Sequence, residues 1–223
     1  MILKSIVNSL MGSISYILYS NDVDYCFMID CGYSEQLLPM LGKLGKHVKA
    51  VFLTHAHYDH IYGLNALLEY SPSTLVFTNR EGLDALVDTK KNFSKYHPEL
   101  TPFVFKYPEN AKIMEEGEYP LFDGERLRAV YTPGHDVTSF SFIIDDKLFT
   151  GDAYIPGIRT VATFPRSNKK DAVISLDFLK RLEAEGYVVC PGHYIDKCFS
   201  KLWIIENVSV RCRRPCKSNK RYC

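Results

Sequence analysis

The chain has almost no charge surplus: 27 Lys and Arg stand against 26 Asp and Glu, a formal net charge of +1 over 223 residues. That balance gives no global electrostatic case for a nucleic-acid partner. No stretch approaches the roughly 20 consecutive apolar residues that a bilayer-spanning helix needs, so no membrane role is expected. The N-terminal segment MILKSIVNSLMGSISYILYS carries one lysine, is broken by Ser and Asn, and is followed by no small-residue cleavage site. It reads as strand rather than as a signal peptide, and the expected location is cytoplasmic. A disulfide framework is also missing. The seven cysteines are odd in number, and Cys26, Cys31, Cys190 and Cys198 are scattered singly, mostly beside apolar residues. Free buried thiols behave this way. No internal sequence repeat is evident.

What remains is ordinary globular material: 46% hydrophobic and 24% charged residues, enough for one large domain with a sizeable core. Strands are expected at Ile2–Val7, Ile14–Tyr19, Tyr25–Ile29, Val48–Thr54 and Leu75–Thr78. Helices are expected at Glu35–Leu44, where Leu37, Leu38, Leu41 and Leu44 recur at helical spacing, and at Gly63–Tyr70 and Glu81–Asp88. Pro39 lies in the first turns of its helix, where proline is best tolerated. Residues 89–110 hold Pro and aromatic clusters and read as a long irregular loop or lid. The second half repeats the rhythm, with strands at Arg126–Tyr131, Ser139–Asp145, Leu148–Thr150 and Tyr187–Cys190. The helix Asp171–Glu183 places Val173, Leu176, Leu179 and Leu182 on one face. Two packed sheets with helices outside are the expectation. Residues 1–208 form the expected domain. Residues 209–223 form a basic tail, expected to be disordered, whose Cys212, Cys216 and Cys223 fall short of a four-ligand zinc set.

The chemistry is concentrated in Thr54-His55-Ala56-His57-Tyr58-Asp59-His60, where an apolar strand ends. Imidazole is a good ligand for Zn, Fe or Ni, and a carboxylate adds a charge-neutralising donor. Residues two apart in an extended loop point the same way, so His55 and His57 can share one ion while Asp59 and His60 diverge toward another. Three further segments each put one ligand-type residue just after a strand with glycine beside it. They are Thr132-Pro133-Gly134-His135, Thr150-Gly151-Asp152 and Pro191-Gly192-His193. Five of the seven histidines thus sit at strand ends, whereas His47 and His97 have no motif context and are expected to be solvated.

The order HAHYDH, TPGHD, TGD, PGH resembles the metallo-β-lactamase superfamily, from Asp30 to His193, and Met28-Ile29-Asp30-Cys31-Gly32 is similar to that family's early Asp-x-Gly turn. The resemblance implies a mixed α/β (α+β) four-layer αβ/βα sandwich with its metal site along the top of the two sheets. It implies that His55, His57 and His135 bind a first ion, Asp59, His60 and His193 a second, and Asp152 both, with Asp30 orienting ligands from behind. The true β-lactamases of the superfamily lack an aspartate at the Asp152 position, which argues against lactam cleavage. The segment Phe149–Arg159 resembles the glyoxalase II branch, which hydrolyses thioesters of glutathione. That branch carries a helical glutathione-binding domain after its last histidine, where this chain has thirty residues. The chain also departs at Val137-Thr138-Ser139, where relatives usually have Gly before Ser.

The expected activity is hydrolysis of an ester, thioester or lactone bond of a small molecule by a metal-bridging hydroxide, with Asp59 handling the proton. Two divalent cations are expected, zinc first, with iron or manganese as alternatives. A phosphodiesterase or nuclease on the same two-metal site, and a mononuclear iron enzyme oxidising persulfides, are the competing enzymatic readings; a binding protein with a dead site is the non-enzymatic one. Tyr154, Arg159 and Tyr194 flank ligands and are candidates for substrate contact, although aromatic packing suits the tyrosines as well. Arg166, Lys169 and Lys170 read as the solvated start of a helix.

Overall fold

The protein is described by a computed structural model covering residues 1–33, 35–122 and 124–194. The expected boundary at 208/209, the basic tail and Cys198 lie outside the described residues. Eleven strands and five α-helices are present among the described residues. The first sheet takes β1 (Ile2–Val7), β2 (Ile14–Tyr19), β3 (Tyr25–Ile29), β4 (His47–Phe52), β5 (Leu75–Thr78) and β6 (Ala111–Ile113), in that order. The second runs β11 (Val188–Pro191), β10 (Lys147–Gly151), β9 (Phe140–Ile144), β8 (Arg126–Tyr131) and β7 (Gly117–Pro120).

Strand alternation divides the apolar side chains into layers, because successive side chains point to opposite faces. From β2, Ile14, Tyr16 and Leu18 enter the space between the sheets, while Ile17 and Tyr19 face the opposite way. Phe27 and Ile29 of β3, and Ala50 and Phe52 of β4, meet Phe140, Phe142 and Phe149 across the central layer. Full burial of each such Phe or Leu stabilises by about 1.5–3 kcal/mol. On the outer face of the first sheet, Met28 and Val51 pack under α1 (Leu37–Leu44), α3 (Leu64–Tyr70) and α4 (Arg80–Val87) through Leu41, Leu67 and Leu86. On the outer face of the second, Leu148 and Val189 pack against Leu179 of α5 (Lys169–Ala184). The molecule is therefore the αβ/βα sandwich that the patterning and the resemblance anticipate.

Three local expectations change. In α5 the buried stripe is Ala172, Ser175 and Leu179, whereas Val173 is 59% exposed. A 3.6-residue period centred on 172, 175 and 179 turns 173 away from the sheet. The 89–110 segment is irregular but not a free lid. Buried Asn92 donates to the carbonyls of Ala85 and Phe103, and Phe103 and Phe105 enter the outer core. Strands β6 and β7 went unanticipated, being three and four residues long, mostly exposed and without apolar alternation. No helix among the described residues is long and apolar enough to cross a membrane.

The topology fixes where the loops gather. β3 and β4 are parallel, as are β10 and β11, and β8 runs with β10 because β9 is antiparallel to both. The segments following β3, β4, β8, β10 and β11 therefore leave the sandwich at one edge. The sheets are tied there by the Phe140 amide on the Thr54 carbonyl (2.7 Å) and the Ile14 amide on the Gly192 carbonyl (2.7 Å). Tyr16 also donates its hydroxyl to the Pro191 carbonyl (2.8 Å).

Candidate metal centre

At this edge the sequence-derived ligand residues come together from five segments. His55 and His57 follow β4, and Asp59 and His60 sit in the short helix α2 (Tyr58–Ile61). His135 follows β8, Asp152 follows β10 and His193 follows β11. Their donor atoms form three overlapping groups, each within 4.8 Å: His55–His57–His135, His55–His60–Asp152 and Asp59–His60–His193. Asp152 faces both ends, with Oδ2 3.6 Å from His135 Nε2 and 3.3 Å from His193 Nε2, and Oδ1 3.5 Å from His60 Nε2. His57 Nδ1 lies 3.1 Å from His135 Nε2, and His60 Nε2 lies 3.3 Å from His193 Nε2. Ligands about 2.0–2.1 Å from a tetrahedral ion stand roughly 3.3 Å apart, so these spacings fit a cation between the donors. His55 Nε2 and Asp152 Oδ1 are buried without a hydrogen-bond partner, which a ligated cation would satisfy.

The rings are held from behind. His60 Nδ1 donates to Asp30 Oδ2 (2.8 Å), and the same carboxylate accepts the Thr54 amide and hydroxyl, each at 2.7 Å. Thr54 spends its hydroxyl hydrogen on Asp30, so at 3.1 Å it accepts from His55 Nδ1. His135 Nδ1 donates to the Val161 carbonyl (2.8 Å), and His193 Nδ1 to the Met11 carbonyl (3.2 Å). In each of these four rings Nε2 is left to face the centre, the arrangement that fixes tautomer and lone pair in metal-ligating histidines. Asp30 has φ +57°, a left-handed conformation that Asp tolerates better than most residues; strain of that kind collects at functional positions. Gly192 is required by close approach, since a Cβ there would meet Asp152 Oδ1 at 2.3 Å.

Electrostatically, the centre is a cage of carboxylates around buried imidazoles. Burial pushes His55 well below the usual histidine range, so the ring is neutral and ready to ligate. Burial opposes charge on His60 as well, but Asp59, Asp30 and Asp152 outweigh it and raise that pKa. His193 likewise rises to about 10, against burial, through Asp152 and Asp59. Burial would raise Asp59 and Asp152, yet the adjoining histidines hold both carboxylates ionised. Divalent cations would replace these histidine protons as the balancing positive charge.

The remaining candidates are placed differently. Tyr154 is buried beside Leu148 and Leu179, with its hydroxyl donating to Glu183 Oε2 (2.6 Å), on the α5 side of the second sheet. Arg159 is exposed on the loop after β10. Tyr194 is 39% exposed, its amide bound to the Gly12 carbonyl next to the Met11–His193 contact. His47 is exposed, while the His97 ring lies 4.2 Å from that of Tyr58, tilted by 35°. Arg166 is not a solvated helix start: its side chain is 16% exposed and reaches Asp136 Oδ1 at 3.4 Å. Sequence reasoning quoted TPGHD without giving Asp136 a role. The only signal was its place beside His135. Thr54 and Thr138, both buried, had no signal of their own.

The model of the metallo-beta-lactamase superfamily matches residues 10–193. A hydroxyacylglutathione hydrolase of Buchnera aphidicola subsp. Schizaphis graminum is 26% identical over 194 residues, 87% of this chain and 67% of that protein. The chain spans 59% and 63% of two further hydroxyacylglutathione hydrolases it matches, from Idiomarina loihiensis and a Synechococcus strain. Among solved structures, the B3 metallo-beta-lactamase BLEG-1 superposes with a TM-score of 0.75 at 22% identity, covering 87% of this chain and 92% of that one. TTHA1623 in a di-iron-bound form gives 0.70 at 24% identity, covering 86% and 92%. These two likenesses concern the fold.

Proposed function

The chain belongs to the metallo-beta-lactamase superfamily, and from that membership we propose a hydrolase that holds two divalent cations and cleaves an ester, thioester or lactone of a small molecule. One observation carries the proposal: three overlapping ligand groups that share His55 and His60, with Asp152 facing both ends of the cluster. The site fits such ions on its donor chemistry and its unpartnered buried atoms. A cation pair in that position supplies an activated water near neutral pH and polarises a substrate carbonyl.

The residues do the rest. His55, His57 and His135 hold one ion, Asp59, His60 and His193 the other, and Asp152 offsets the repulsion between them. Asp30 fixes the His60 ring. Asp59, kept ionised by its histidine neighbours, takes up the proton released as the attacking water adds to the carbonyl. Similarity to hydroxyacylglutathione hydrolases favours a thioester within this class. Imidazole and carboxylate donors accept zinc, iron or manganese; zinc is tested first, and iron beside it because TTHA1623 is described as di-iron-bound. Cys26, Cys31 and Cys190 are buried free thiols, which supports a reducing, cytoplasmic location.

The test is elemental analysis of the purified chain followed by a substrate panel: S-lactoylglutathione and simpler thioesters, aryl esters, a lactone, bis(p-nitrophenyl) phosphate and a β-lactam. Two ions per chain with turnover of a carbonyl substrate is expected, and the β-lactam should not be cleaved. Turnover confined to the phosphodiester would overturn the proposal. A single iron with persulfide oxidation would do so as well.

A further inference from the structure

His57 is the odd ring of the five. The other four turn Nε2 inward, but His57 turns Nδ1 toward His135 Nε2, at 3.1 Å. Its Nε2 points outward and lies 3.4 Å from Asp136 Oδ2. Both atoms are buried, and neither has another hydrogen-bond partner. Two such orphans are costly. A proton on Nε2 shared with the carboxylate satisfies both, and leaves the Nδ1 lone pair for the centre.

Asp136 is itself gripped. Thr138 donates its hydroxyl (2.6 Å) and its amide (2.9 Å) to Asp136 Oδ1. The same Thr138 hydroxyl oxygen accepts the amide of Ala56 (3.0 Å), the residue between His55 and His57. Asp136 and Thr138 are 1% and 0% exposed. From the loop after β10, Arg166 places its guanidinium 3.4 Å from Asp136 Oδ1 and donates to the Lys91 and Glu81 carbonyls at 3.4 Å. The same loop supplies the Val161 carbonyl to His135, and Ser167 donates to the His135 carbonyl at 2.5 Å.

We infer that Asp136 is a positioning residue, which locks His57 with Nδ1 toward the cation of the His55–His57–His135 pocket. Arg166 ties that lock to the loop after β10, so retention of the ion depends on the loop being seated. The inference rests on the two-cation proposal, and the experiment separates the two. Zinc content of the full chain is measured first, then zinc affinity by chelator competition, for wild type, Asp136→Asn, Asp136→Ala and Arg166→Met. Cobalt-substituted samples report ligand geometry through their visible absorption, with His135→Ala marking the spectrum of a chain deprived of this pocket.

Asp136→Ala should weaken one ion about 10–100-fold, as losses behind metal ligands typically do, and leave the other unchanged. Its cobalt spectrum should move toward that of His135→Ala. Asp136→Asn, whose amide oxygen can still accept from Nε2, should recover part of the affinity, and Arg166→Met should lose less than tenfold. A folded Asp136→Ala that holds both ions with wild-type affinity overturns the inference. Equal weakening of both ions also overturns it, because that is general destabilisation. If Asp136→Ala does not fold, Asp136→Asn decides on the same two criteria. A wild-type chain with one ion would sink the two-cation proposal alone; whether the Asp136 variants weaken that ion would still decide the positioning role.

Discussion

In the pocket of Asp59, His60 and His193, the outward ring nitrogens meet groups set by the strands. Asp30 directly follows β3 and is held by the Thr54 amide after β4, and the Met11 carbonyl, in the turn between β1 and β2, lies just before the Ser13–His193 bridge between the sheets. In the pocket of His55, His57 and His135, two of the three rings rest on loops instead. His57 faces Asp136, which is clamped by Thr138 and Arg166, and His135 donates to Val161. One pocket inherits its geometry from the sandwich, the other from segments laid over it. Rigid strand ends can hold a site ready in the absence of a ligand, whereas loops that contribute one accepting carbonyl or one donating guanidinium add adjustable contacts. The loop-built pocket should therefore be the more sensitive to change at a distance from the ligands.

The largest effect should come from the group that faces both pockets. Asp152→Ala removes a carboxylate lying 3.3–3.6 Å from His135, His60 and His193 without touching any histidine. Hydrolysis should fall by orders of magnitude. The ion of the strand-built pocket should weaken most, since two of the three histidines beside Asp152, His193 (3.3 Å) and His60 (3.5 Å), belong to it. Metal analysis and kcat measured together check this. Two ions and near-normal turnover would show that Asp152 is an ordinary turn aspartate. Asp152→Asn retains the shape and isolates the charge.

Asp30→Asn attacks the strand-built pocket from behind. Asn tolerates the left-handed conformation of residue 30, so the backbone should stand. Its side-chain amide cannot both receive the three bonds now made to the carboxylate and preserve their charge-assisted strength. A loss of about 10–100-fold in the affinity of one ion is expected, with a smaller loss in the first pocket, which Asp30 reaches only through Thr54 and His55, in chelator competition. Loss confined to the first pocket would reverse the comparison.

Phe164→Ala probes the loop-built side more gently. The ring sits 5.2 Å from Phe93, 5.7 Å from His57 and 5.9 Å from His135, nearly perpendicular to both imidazoles. It is 39% exposed, so the core does not depend on it. Aromatic pairs of this kind are worth about 0.5–1.5 kcal/mol, which predicts a change of a few-fold, below about tenfold, in KM or in first-pocket metal affinity. Thermal unfolding should barely move. A drop in melting temperature with unchanged KM and metal affinity would count against a site role for the loop.

Much of this was legible in advance, and the reason is local. Each ligand lies after an apolar strand, so patterning and spacing pointed to convergence at one sheet edge, and the family resemblance implied that His55, His57, Asp59, His60, His135, Asp152 and His193 share it. Asp136, Thr138 and Arg166 carried no such mark. Their part depends on contacts 30 to 85 residues apart in sequence, such as Arg166 with Asp136, Ala56 with Thr138 and Arg166 with Glu81, that periodicity does not encode. Val173 failed for a subtler reason: four apolar residues at helical spacing fit two neighbouring stripes, and only packing on β10 chooses between them. β6 and β7 are short edge strands, each anchored by backbone pairing and by one half-buried residue, Ala111 or Tyr119, too few to show an alternation.

Tyr154 is the smallest test and the one that bears most directly on how far adjacency in sequence can be trusted. It lies two residues after Asp152, so chain order alone makes it a candidate for substrate contact. The turn after β10 carries it instead to the far side of the second sheet. There its ring is 7% exposed among Leu148 and Leu179, and its hydroxyl bonds Glu183 of α5. Its work is then to fasten α5 to the sheet, a scaffold function that both pockets share. Tyr154→Phe keeps the ring and deletes one hydrogen bond, whose net worth is about 1 kcal/mol because exposed Glu183 is rehydrated when the bond is lost. For a chain of this size that corresponds to roughly 2–4 °C in melting temperature. KM, kcat and metal content should remain at wild-type values. A change in KM for whichever substrate the chain turns over, without a change in melting temperature, would return Tyr154 to the substrate site. It would also mean that the loop after β10 reaches the loop-built pocket through more than Val161, Phe164, Arg166 and Ser167.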